Sequence, residues 1–197
     1  KIEPAASRVG RSIGIDLGLK SFASLSDGRK ICNPRYFRTY EKAIAVAQRA
    51  KNKPRVRAIQ AKIANARHHF LHQQSTLLVR EFDFIAVGNV SPTKLAKTRM
   101  AKSVLDAGWS SFRHMLLYKA QKSGAVCIEV DERMTSRTCS SCGKIPDSSP
   151  KGMGTLGVRH WACSGCGTHH DRDVNAAQNI LRVGAERRPP AVEIASP

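Results

Sequence analysis

Residues 139–142 read C-S-S-C, residues 163–166 read C-S-G-C, and residues 170–181 read H-D-R-D-V-N-A-A-Q-N-I-L. Two C-x-x-C pairs let four soft thiolates reach one ion from two tight knuckles, the ligand set of a structural zinc ribbon. Cys139, Cys142, Cys163 and Cys166 are therefore expected to hold one Zn2+, with Gly143, Gly165 and Gly167 supplying the turn conformations. Four thiolates leave no open coordination position, so this ion is structural rather than catalytic. Trp161 and Leu156 are expected to cover it; His169 and His170 adjoin it but are not needed as ligands.

The last of the three stretches reads as a helix from about residue 172 to 183, with Asp173, Ala176, Ala177, Ile180 and Leu181 on one face. The alanines let that helix lie close to a sheet. An acid in line with a core-facing stripe must be paired, protonated or holding a cation, because a lone buried charge is too costly. Asp171 reads as the N-cap, and a second capping acid is the plainer alternative for Asp173. Asp16 has the same character near the other end of the chain. It interrupts an apolar strand between Ile15 and Leu17, with Gly14 and Gly18 allowing close backbone approach. Two such acids converging on one sheet edge are what a two-metal phosphodiester site requires, with Mg2+ or Mn2+ favoured by all-oxygen ligands.

The 197 residues carry 33 Lys and Arg against 15 Asp and Glu, a net charge of +18. Such an excess repels itself without a polyanion nearby, so nucleic acid is the expected partner. No apolar run is long enough for a membrane span and the first residues lack the apolar core of a signal peptide, so a cytoplasmic setting is expected. The chain opens without Met and leads almost at once into a strand, as a piece with an upstream part missing would. Cys32 and Cys127 read as ordinary buried thiols.

Taken in order, the pattern predicts antiparallel strands at 12–17, 21–26 and 29–32, the last two joined at the Asp27-Gly28 pair. Two basic helices follow, split at Pro54. Between residues 29 and 80 there are 13 Lys or Arg and one acid, Glu41. With so few acids nothing offsets the repulsion, so Arg55, Arg57, Lys62 and Arg67 are candidates for phosphate contact. A buried strand at 83–90, a basic loop carrying Lys94 and Lys97 (also nucleic-acid candidates), a helix at 103–122 and a strand at 125–131 complete a right-handed βαβ unit. That helix is expected to show Leu105, Trp109, Phe112, Leu116 and Lys119 on one side. The order is that of an α/β, RNase H-like mixed sheet interrupted by a helical hairpin and a zinc ribbon. The expected divisions are a nuclease-type domain at 12–134 plus 170–184, a ribbon at 135–169, and flexible ends at 1–11 and 185–197.

The G-I-D-L-G near one end, the long basic helical stretch, the two C-x-x-C pairs and D-R-D-V-N-A-A-Q-N-I together resemble the C-terminal half of TnpB-type proteins over about residues 13–181. These are transposon-encoded, RNA-guided DNA endonucleases with a RuvC-like nuclease domain. The resemblance implies guide RNA and target DNA as partners, and makes Asp16 the first and Asp173 the third catalytic acid. One departure matters: the family's second acid, a glutamate ending the strand F-I-A-V-G-N-V, is Gly88 here, and Asn89 could ligate only weakly. Either a carboxylate from the neighbouring strand has moved in, with Glu132 first and Glu129 second, or the protein binds nucleic acid without cutting it. The reading adopted is a metal-dependent DNA endonuclease using Asp16, Glu132 and Asp173. A guide-directed repressor and a truncated transposon fragment remain the alternatives.

Overall fold

Side chains alternate across the first strand, so Ile13, Ile15 and Leu17 enter one apolar cluster while Gly14 and Asp16 face the opposite side. That alternation sorts the helices. The computed structural model describes residues 10–90, 101–151, 155 and 157–188. Strands β1 (Ser12–Leu17), β2 (Ser21–Leu25) and β3 (Lys30–Cys32) are antiparallel neighbours. Helices α1 (Tyr36–Arg49) and α2 (Lys53–Glu81) follow, then β4 (Phe84–Gly88), α3 (Ala101–Ala107), α4 (Trp109–Ser123) and β5 (Val126–Val130). The strands β6 (His160–Ala162) and β7 (His169–Asp171) form a separate hairpin, and β7 runs straight into α5 (Arg172–Glu186). The large sheet has the order β3-β2-β1-β4-β5, with β1, β4 and β5 parallel.

One face of that sheet is covered by α2 and α4. Phe22, Leu71, Leu78, Phe112 and Leu116 join the odd residues of β1 there, and Phe22 meets Phe112 edge to face at 4.9 Å. Lys119 is not part of an apolar stripe. Its ammonium donates to His72 O, Ser75 Oγ and Thr76 Oγ1 at 2.7–2.8 Å, tying α4 to α2, and burial pushes its pKa down. The expected single helix at 103–122 is broken at Gly108, whose φ of 69° ends α3 with Leu71 Cδ1 only 3.1 Å from a would-be Cβ. The break turns Leu105 outward, 65% exposed.

The basic segment divides where Pro54 predicts, with the Asn52 side chain accepting from Arg55 N as the cap of α2. Helix α1 has no cap of its own; Asp106 of α3 accepts from Phe37 N at 2.9 Å instead. Most of the stretches expected to be flexible, residues 1–9 and 189–197, lie outside the described residues. Gly10 N donates to Asp83, Arg11 pairs with Glu81 at 2.8 Å, and α5 continues through residue 186. Cys32 is exposed rather than buried, because β3 is the sheet edge, while Cys127 is partly buried and its thiol is pushed up to about 12 by burial.

Helix α5 lies on the other face, against Phe84, Ala86 and Val130 through Ile180. Its approach is too close for ordinary side chains. A Cβ on Gly14 would stand 2.1 Å from Ala177 O, and one on Gly184 would stand 2.5 Å from Ala86 Cβ. Gly14→Ala must push the helix off the sheet. Overpacking of this kind costs about 1–3 kcal/mol, which in a domain of this size lowers Tm by about 2–4 °C per kcal/mol. An unchanged melting temperature in Gly14→Ala would contradict the contact.

Candidate active site and metal centre

The parallel strands bring the acids together by register. Ile15 pairs with Val87, and Gly88 pairs with Val130. Asp16 and Gly88 therefore follow one another across the C-terminal edge of the parallel strands, where open α/β sheets place their ligands. Asp16 shares the α5-facing side of β1 with Gly14, and Gly14 abuts Ala177. Asp173 is one turn before Ala177, so it returns to the level of Asp16, two residues beyond Gly14.

Glu132 joins them from the loop after β5. Its Oε2 lies 3.0 Å from the position a Cβ on Gly88 would take, with its own Cβ at 3.6 Å and Ile180 Cδ1 at 3.1 Å. The Glu132 carboxylate thus fills the space that a side chain at position 88 would occupy. Glu129 does not take part. It lies one residue out of phase with Val130, and its carboxylate is 3.4 Å from Arg113 Nε.

The electrostatics follow from this crowding. Burial raises the Asp16 carboxyl well above the usual carboxylate range, and the Glu132 and Asp173 charges push it further, with Arg172 and Arg159 partly offsetting them. Burial also raises Glu132, against a lowering by Arg113. Asp173 accepts from Arg159 Nη1 through both oxygens at 3.0 Å. Asp171 is the N-cap, accepting from Asp173 N and Val174 N, and it also takes Lys30 Nζ at 2.6 Å.

The four cysteines form a second centre, their sulfurs all within 4.8 Å of one another. Cys139 and Cys166 are 3.7 Å apart and Cys142 and Cys163 3.8 Å apart, matching the edge of about 3.8 Å for a tetrahedron of sulfurs 2.3 Å from a central ion. The knuckles are alike: Gly143 N donates to Cys139 O and Gly167 N to Cys163 O, both at 2.8 Å, with φ of 72° and 74°. Thr168, its hydroxyl 3.3 Å from Cys166 Sγ, is the first cause holding that thiol down at about 6, so the thiolate is ready at neutral pH. The donor set fits a structural zinc. Trp161 covers it and stacks on His170, whose Nε2 is 3.1 Å from Cys139 Sγ; Leu156 lies outside the described residues.

Four residues here escape the sequence reading. Arg159 and Arg113 reach the acids from distant elements. Asn175 and Asn179, one turn apart and 1% exposed, both donate to Thr135 O and Thr138 O, and Asn175 Oδ1 accepts from Ser140 N. They fix the segment between Glu132 and Cys139. The signal available was the N-x-x-x-N spacing on the core side of α5.

Among the basic candidates, Arg55, Arg57 and Lys62 are exposed, Lys62 standing 5.3 Å over the Tyr40 ring. Arg67 is turned inward instead, donating to Leu105 O and lying 3.6 Å from Asp106, because Gly108 brings α3 against it. Lys94 and Lys97 lie outside the described residues. No helix among the described residues is long and apolar enough to cross a membrane.

Residues 2–99 match a family described as "Probable transposase", and residues 109–180 match one described as "Cas12f1-like, TNB domain". A Streptomyces pristinaespiralis protein named, provisionally, as an RNA-guided DNA endonuclease is 36% identical over 187 residues. The chain belongs to the TnpB-type family. TnpB-like protein L79 of Acanthamoeba polyphaga mimivirus is 27% identical over 200 residues. This TnpB-type chain aligns through 88% of its own length with each, but spans only 45% and 37% of theirs. Its fold is that of the cryo-EM structure of a Cas12f1-sgRNA-target DNA complex, with a TM-score of 0.65 and 18% identity over 89% of this chain and 50% of the other.

The raised Asp16 carboxyl gives a signed stability test. A folded pKa above the unfolded value of about 3.9 means that stability from this group falls as pH rises through that interval. Without divalent ions, Asp16→Asn should therefore melt higher than the parent at neutral pH, and the gap should close toward about pH 4. Thermal melts across pH check this; a variant less stable than its parent at neutral pH contradicts the electrostatic strain.

Proposed function

We propose that this chain is the RuvC-type, RNase H-like nuclease part of a transposon-associated, RNA-guided DNA endonuclease. The observation that carries the reading is the Glu132 carboxylate over Gly88, beside Asp16 and Asp173. Three carboxylates gathered at a strand edge, one of them strongly disfavoured as an anion, call for cationic occupants. Asp16, Glu132 and Asp173 would hold two Mg2+ or Mn2+ ions, which when bound activate water and stabilise the leaving oxygen of a phosphodiester. Glu132 supplies the second acid from β5's loop in place of the usual one on β4. Arg159, which bonds both oxygens of Asp173, would have to release that carboxylate for it to hold an ion. The cysteines hold one structural Zn2+. Arg55, Arg57 and Lys62 on the basic hairpin contact guide RNA or target DNA.

Binding without cutting is the second reading, as in a guide-directed repressor. The Arg159–Asp173 pair favours it, since that pair already neutralises one of the three acids without metal.

A position swap separates the two. Glu132→Gly should abolish Mn2+-dependent cleavage by the guide-loaded protein, a loss larger than the roughly 10–100-fold that follows removal of a residue merely supporting a metal ligand. Gly88→Glu combined with Glu132→Gly should restore cleavage by returning the acid to β4. A Glu132→Gly protein that cuts at the parental rate rules out the relocated acid; a parent that never cuts supports the repressor. Metal analysis tests the cysteines separately: one zinc per chain is expected, lost in Cys163→Ser together with a drop in Tm.

A further inference from the structure

A cleft of about 460 Å3 opens between the turn after β1, the start of α1 and the start of α3. Lys20, Arg35, Arg38 and Lys102 line it, and so does Arg159. Because Arg159 also bonds Asp173, the cleft reaches within one guanidinium of the acidic cluster. Its two acids do not balance these cations. Asp106 is committed to Phe37 N and Arg67, and Glu41 lies 3.7 Å from Lys102. Among the described residues, Lys20, Arg35 and Arg38 are exposed and have no carboxylate in ion-pair range. Arg35 holds φ 49° and ψ 49°, a backbone state unfavourable for a side-chain-bearing residue, and its guanidinium is drawn toward Leu19 O at 3.5 Å. Phe37 adds a partly exposed ring to the same wall.

We propose that this cleft holds the backbone of the single DNA strand leading to the carboxylates, with Lys20, Arg35, Arg38 and Lys102 on the phosphates beside the scissile one and Phe37 under a base. The inference rests on the nuclease reading, which supplies the strand and its direction of approach. The cations supply sequence-independent affinity, the ring supplies stacking, and a space of this volume admits part of one strand but not a duplex. Guide RNA is a poorer occupant, because Arg159 joins the cleft to Asp173, whereas Arg55, Arg57 and Lys62 farther along the hairpin do not line it.

The test is binding of a fluorescein-labelled oligothymidylate to the guide-loaded protein across a salt series without divalent ions, so that cleavage plays no part. Each lost phosphate contact on a single strand should flatten the log K against log salt slope by about 0.7. Arg35→Glu with Arg38→Glu should flatten it by about 1.4 and weaken binding by roughly tenfold or more. A charge-matched control, Lys122→Glu with Arg182→Glu, lies outside the cleft lining and should change neither by as much. An oligonucleotide carrying 5-iododeoxyuridine should cross-link to the peptide containing Phe37. Unchanged binding in the Arg35, Arg38 variant, an equal loss in the control, or a Phe37 cross-link to guide RNA instead would overturn the proposal. Strand binding through the cleft by a protein that never cuts would leave the cleft standing and the nuclease reading fallen.

Discussion

The backbone of α5 lies against β1 and β4 at a separation that only small residues permit. Gly14 meets Ala177 O, and Gly184 meets Ala86. At this range the helix cannot slide or rotate without driving a Cβ into backbone, so its register on the sheet is fixed sterically. Everything functional inherits that register. Asp173 is brought to the level of Asp16, Ile180 closes the floor under Gly88, and Asn175 and Asn179 reach the carbonyls of Thr135 and Thr138.

The motif D-R-D-V-N-A-A-Q-N-I is thus a set of separate physical jobs spaced by one helical turn. Asp171 caps, Asp173 is the acid, Asn175 and Asn179 clamp a loop, Ala176 and Ala177 give the close approach, and Ile180 packs. The clamp couples the two centres. The loop it holds runs from Glu132 to Cys139, so both residues are positioned by the same two amides. Arg159 couples them a second time, leaving the β6–β7 hairpin to pair with Asp173. The segment that carries the four clustered cysteines is thus tied to the acidic cluster at two points.

Gly88 is the complementary case. A missing side chain on β4 leaves a hole over a buried strand edge, and a carboxylate from the parallel neighbour fills it. Nothing prevents a glutamate on β5's loop from serving the same point in space, because parallel strands are close enough for one long side chain to span.

Local patterns decided much of this molecule. Strand alternation, the Asp27-Gly28 turn, the Pro54 break and the cysteine spacing each act over a few residues, so the sequence alone set most of the elements, though not the break at Gly108, together with the four-cysteine cluster and the singular character of Asp16 and Asp173. Contacts between residues far apart in the chain were decided only by the tertiary structure. The Arg159–Asp173 pair, the inward turn of Arg67, the use of Asp106 as a cap for a distant helix and the two-asparagine clamp depend on which surfaces pack together. So do the different surroundings of Glu132, which lies over Gly88, and Glu129, which faces Arg113. A sequence carries the periodicity of a face, but the partner across that face is supplied by the fold.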